Sequence, residues 1–241
     1  MKNIFVYAVF ACILIMSCSA RVSGTLNSDG SADLSLQASL EPRMAALIRS
    51  ISRLNAPPGG SEQILNGPAI AASMAAAPGI KSVSLHNSNP TTIEGTAGIV
   101  RADAFLAIPG TRGGGGFIGY EQTGAGGSFT ITLNRNTGPR IIALLSPDVA
   151  DYLSALMAPA VTGEALSKGE YLDLVRAVYG RGVAEEIAAG RVRVSINFPK
   201  PINTIKGGLV SGTAGNRGEF DIPLLDLLVL EHPLEYEVSW K

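Results

Sequence analysis

Apolar and polar residues alternate near both ends of this chain, and that pattern limits the fold more than any other feature. Near the start, Leu34, Leu36, Ala38 and Leu40 alternate with Asp33, Ser35, Gln37 and Ser39. Near the end, Val192, Val194, Ile196 and Phe198 alternate with Arg191, Arg193, Ser195 and Asn197. Leu234, Tyr236, Val238 and Trp240 then alternate with Glu235, Glu237 and Ser239. Successive side chains of a strand point to opposite faces, so each stretch predicts a strand with one buried face. Val22, Gly24 and Leu26 supply a partner for the first, with Ser28-Asp29-Gly30 as the turn, and residues 21–40 read as a β-hairpin.

Between these strands the period changes. Pro42 opens a helix over residues 42–54, with Met44, Leu47, Ile48, Ile51 and Leu54 on one stripe. That helix packs on the sheet, or its arginines bring a basic amphipathic face to anionic lipid. A Pro/Gly linker follows at residues 55–60, then an Ala-rich helix at 61–77 closed by Pro78-Gly79. Strands are predicted at 80–87 and 91–101 around Asn89-Pro90, and again around Phe117–Gln122 and Phe129–Leu133. Helices return between 138 and 190. Ser146-Pro147-Asp148 starts one with Tyr152, Leu153, Leu156 and Met157 on one side, and Ser167 with Glu170 forms a capping box for the next. Tyr171, Leu172, Val175, Val178 and Tyr179 form the stripe of that second helix, which Gly180 ends, and a short helix at 183–189 stops at Gly190. A strand is predicted at 203–210, and residues 223–230 form a short helix or a buried turn.

Strands at both ends with helices between them define the fold class: α+β, a mainly antiparallel sheet with amphipathic helices packed on one side. The chain of 241 residues, 46% hydrophobic and 16% charged, can bury a core of that kind as one domain over residues 18–241. Its net charge of −1, with no basic run longer than two residues, argues against a nucleic-acid partner, which needs concentrated positive charge.

The first residues read as an export signal. Lys2 precedes an uninterrupted apolar stretch over residues 4–16, too short to span a hydrocarbon core as a helix and suited to a signal peptide. The stretch ends at Ile15-Met16-Ser17-Cys18, which resembles the lipobox of bacterial lipoproteins through Ile15, Ser17 and Cys18. Met16 departs from the small or branched residue usual there. The resemblance implies cleavage before Cys18, so that residues 1–17 leave as signal peptide. It also implies diacylglycerol on the Cys18 thiol and an acyl chain such as palmitate on the freed amine. Cys12 leaves with the signal, so the mature chain keeps no thiol for a disulfide or zinc site. Ser19 after the cysteine leans toward the outer membrane. The hairpin just after Cys18, with its D-G turn, is similar to small envelope lipoproteins of the LppM-like type.

Motifs for catalysis are sparse. Gly114 to Gly119 spells G-x-G-x-x-G, but no helix is predicted to open on it, as dinucleotide binding requires. His86 and His232 are the two histidines, and neither has a metal-ligand spacing or a G-x-S-x-G partner. Asp148, Asp151, Asp173, Glu185 and Glu186 read as solvated helix faces and helix-start charges. We therefore expect no catalytic residue, no cofactor and no metal. The expected protein is a membrane-anchored envelope lipoprotein that binds a lipid or other apolar ligand, or a protein partner, near the membrane. The alternative is a lipid-anchored envelope hydrolase using a histidine, a serine and a carboxylate in one pocket.

Overall fold

A computed structural model describes residues 19–55, 65–76, 78–106, 118–124, 126–138 and 153–241. The expected signal segment with Cys18, the helix start expected at Ser146-Pro147-Asp148 with Asp151 and Tyr152, and residues 114–117 of the glycine motif lie outside them.

The predicted hairpin forms as β1 (Ser19–Leu26) and β2 (Ala32–Ser39), and Gly30 takes φ +83° in its turn. α1 (Pro42–Asn55) follows. α2 (Gly67–Ala75) starts later than expected, because Asn66 accepts the Ala69 amide at 3.0 Å and Pro68 occupies the first turn. β3 (Ile80–Asn89) and β4 (Thr92–Ile99) form the second hairpin, and β4 stops before Arg101 because the short α3 (Ala102–Phe105) begins there. β5 (Ile118–Thr123) and β6 (Gly126–Leu133) agree with the alternation read there.

Next come α4 (Pro159–Thr162), α5 (Lys168–Tyr179) and α6 (Arg181–Ala189). The Ser167–Glu170 capping box at the start of α5 is present in both directions. Tyr171 and Val175 of its stripe are buried, whereas Val178 is 53% exposed, so the stripe is narrower than its apolar residues suggest. β7 (Arg191–Asn197) follows directly on α6.

The single strand expected over 203–210 is instead two, β8 (Ile202–Lys206) and β9 (Leu209–Ser211), in different sheets. Gly207 at φ +74° makes the break possible, since that conformation suits a residue without Cβ. β10 (Arg217–Pro223) was not foreseen; then come α7 (Leu224–Val229) and β11 (Leu234–Trp240).

Among the described residues these strands form two sheets. The first has seven strands in the order β3-β4-β2-β1-β7-β10-β9, the second four in the order β5-β6-β11-β8. Pairing is antiparallel except between β1 and β7. One face of the first sheet is covered twice. Toward the Ser19 end, Val22, Leu36, Ala38 and Ile93 pack with Met44 and Ile48 of α1 and with Tyr171, Val175 and Ile187 of α5 and α6. Toward the hairpin turn, Leu26, Ala32 and Ile99 pack with Phe198, Phe220, Val238 and Trp240, which joins the second sheet to the first. Met44 and Ile48 of the α1 stripe are therefore turned into the core, with Leu47 packed against it. The fold is α+β, with a mainly antiparallel sheet and its helices on one side.

Candidate functional site

The other face of the seven-stranded sheet carries polar residues from one edge almost to the other. Each strand alternates, and in-register pairing aligns the outward positions into rows across neighbouring strands. One row runs His86, Glu94, Gln37, Arg21, Arg193, Asp221. The next runs Ser84, Thr96, Ser35, Ser23, Ser195, Glu219 and ends at Leu209 on the edge strand. The apolar positions between them point into the core, which leaves this face hydroxyl-rich and charged.

A cleft of about 820 Å³ opens over β1, β7, β10 and β9, and Arg21, Arg193 and Arg217 line it with Glu219 and Asp221. Three guanidiniums thus meet two carboxylates. Arg217 Nε donates to Ser195 Oγ at 2.7 Å and lies 3.4 Å from Glu219 Oε1, while Ser211 Oγ donates to that same oxygen at 2.6 Å. Arg193 Nε reaches Asp221 Oδ1 only at 3.7 Å. Arg21 has no acidic partner among the described residues. Leu209, 72% exposed, stands at the rim.

Two smaller clefts lie at opposite ends of β1. The one near the Ser28–Gly30 turn, about 440 Å³, is bounded by groups already satisfied by one another. Asp29 accepts the amide and hydroxyl of Ser31, which hold its carboxyl below the ordinary range. Arg101 likewise lowers the Asp103 carboxyl by hydrogen bonding to it. The cleft of about 370 Å³ beside Ser19 includes Arg43, Glu185 and Glu186. Glu186 accepts the amides of Arg43 at 3.1 Å and Met44 at 2.7 Å, so it caps α1 from a distant helix. It is not the solvated face expected of it. Glu185 keeps that character: Arg181 holds it by a hydrogen bond at 2.6 Å and lowers its carboxyl's affinity for a proton.

The histidines are not brought together. His86 lies on β3 with Nε2 3.5 Å from Glu94 Oε1, both partly open to water, and His232 sits in the exposed turn before β11. Neither lines the three clefts described. Gly119 of the glycine motif lies within β5, so a strand follows where a dinucleotide site needs a helix. Among the described residues no group of three or more histidine, cysteine or acidic side chains is poised to hold a metal ion, and no helix is long and apolar enough to cross a membrane.

Among solved structures, the chain is similar to the NMR structure of the folded domain of the Mycobacterium tuberculosis protein LppM. The TM-score is 0.39 and the identity 10%, over 92% of this chain and 88% of that one. No protein-family model matches, and no curated protein matches.

Sequence reasoning passed over the arginine cleft. Its arginines occupy outward positions of strands, where charge ordinarily means solvation. The nearest signal was the repeat of Arg at alternate positions in 191–193, without any hint that Arg21 lies beside it.

Proposed function

We propose that this protein is a lipid-anchored lipoprotein of the bacterial cell envelope, with acyl chains on Cys18 and a non-catalytic body that binds a ligand or partner beside the membrane. The observation that carries the reading is the Ile15–Cys18 box ending one residue before Ser19, which pairs with Ser39 and Arg191 in the sheet. β1 is the middle strand of the seven. An anchor there has no linker, so the Ser19 end of the sheet would rest at the lipid surface and the polar face would stand up from it. Each buried methylene of the acyl chains contributes about 0.8 kcal/mol, so two or three chains hold the protein durably where one would not.

The clefts described are open and edged with charge, which suits a polar headgroup or a protein surface better than an acyl chain. This shifts the preferred ligand from the apolar class to the polar one. The preference for the outer membrane rests on Ser19 alone.

Metabolic labelling with a fatty acid in cells making the wild type or Cys18→Ala tests the anchor. Label is expected in the wild type and absent from the variant, with Cys18 as the mature N-terminus. An unlabelled wild type, or a mature chain beginning elsewhere, defeats the reading.

A further inference from the structure

We propose that Arg21 and Arg193 form a binding site for a phosphate group on the open face of the seven-stranded sheet. This deepens the ligand-binding reading above, but the site itself does not need the anchor.

The parallel register of β1 and β7 sets Arg21 directly opposite Arg193. Neighbouring strands lie about 4.8 Å apart, and like charges facing each other at that spacing destabilise a sheet. Nearby acids do not cancel the pair. Asp221 lies on the far side of Arg193 at 3.7 Å, and Glu219 is engaged by Arg217 and Ser211. On the other flank Arg21 faces Gln37, and Glu94 is a further strand away. The two guanidiniums therefore share a field that an anion would relieve.

The neighbours define which anion. Ser23 faces Ser195 in the adjoining row, and both line the same cleft. Ser195 Oγ accepts from Arg217 and keeps its own proton free to donate. Two guanidinium forks and two hydroxyls offer more donors than the two oxygens of a carboxylate can use, whereas a tetrahedral phosphate presents more oxygens to such a ring. Arg21 lies two residues along β1 from Ser19, about 7 Å at the rise of a strand, and Cys18 directly precedes Ser19 in the sequence. A lipid phosphate is within reach of an anchored molecule, and a free phosphate has access through the open cleft.

The test is calorimetric titration of the full chain, purified in neutral detergent after its mass at Cys18 has been determined. A missing acyl group and a missing phosphate site then give separate results. The titrants are short-chain phosphatidylglycerol, the matched diacylglycerol without phosphate, and inorganic phosphate. Saturable binding of phosphatidylglycerol but not diacylglycerol is expected, weakened about tenfold by Arg21→Gln and by Arg193→Gln and unchanged by Arg101→Gln. If inorganic phosphate binds as tightly as the lipid, the site is confirmed and its ligand is the free ion. Arg21→Gln should keep or raise the thermal midpoint, because it removes one of two facing charges, and this separates a binding role from a structural one. Absence of binding by both phosphate compounds, or wild-type affinity in both glutamine variants, overturns the proposal.

Discussion

Glu186, near the end of α6, accepts the backbone amide of Met44 at 2.7 Å in the first turn of α1. Its second oxygen takes the Arg43 amide at 3.1 Å. The first turn of α1 holds no acidic residue of its own, so a carboxylate from another helix meets both the orphan amides and the positive end of the helix dipole.

Removing that carboxylate should loosen two helices at once. Glu186→Ala is expected to cost about 1 kcal/mol, in the range of a lost N-cap. Urea unfolding followed by circular dichroism measures it. Glu185→Ala is the control, because that neighbour makes an exposed pair with Arg181 and should cost less.

Trp240 reports on the joint between the sheets. It is buried, is the only tryptophan, and lies against Phe198 with ring centroids 4.9 Å apart. A Cβ at Gly127 would come within 2.5 Å of the indole and 2.6 Å of the Glu121 carbonyl oxygen. Gly127→Ala should therefore destabilise by about 1–3 kcal/mol through overpacking. A shifted tryptophan emission maximum in the native state would accompany it; unchanged emission and stability would contradict this packing.

Gly207 is where the chain leaves one sheet for the other. Its φ is +74°, and an added Cβ would meet the Glu235 carbonyl oxygen and the Tyr236 ring, both at 2.7 Å. Gly207→Ala should cost about 1–3 kcal/mol from backbone strain before the clash is counted. Comparison with Gly215→Ala, where φ is also positive but the space is open, isolates the steric part in the difference of thermal midpoints.

Alkaline pH should unfold the protein through its buried phenols. Burial raises the proton affinity of Tyr171 well above the ordinary value, and its hydroxyl donates to the Leu156 carbonyl at 3.3 Å. Burial also raises Tyr120 and Tyr236. The unfolded chain loses these protons near pH 10 and the folded one only higher. This contribution to stability is therefore complete below about pH 10 and is lost as pH rises through the folded values. Tyrosinate absorbance should appear in two stages, with the Tyr171 component coinciding with loss of structure. Tyr171→Phe should abolish that second component.

Much of the local architecture can be read without coordinates because its causes are local. Alternation sets the face of each strand, Ser28-Asp29-Gly30 turns the first hairpin, and Ser167 with Glu170 starts α5. These depend on contacts within a few residues. The resemblance of Ile15–Cys18 to a lipobox is likewise carried by adjacent residues, and the lipid anchor proposed from it needs no contact from elsewhere in the chain. β10 is hidden for a related reason: Arg217, Glu219 and Asp221 alternate with Gly218, Phe220 and Ile222, but a charge-rich segment whose inward positions begin with a glycine carries a weak apolar signal.

Tertiary structure decided what these local units face. The parallel pairing of β1 with β7 joins segments far apart in the chain, and without it Arg21 and Arg193 read as two unrelated solvated charges. Glu186 likewise reads as a helix-surface residue until α6 is placed against the start of α1. The break at Gly207 became necessary only once two sheets competed for the strands on either side of it. Periodicity says which side of an element is buried. Which elements meet across space is set by simultaneous burial of the whole core, and no short window of sequence contains that information.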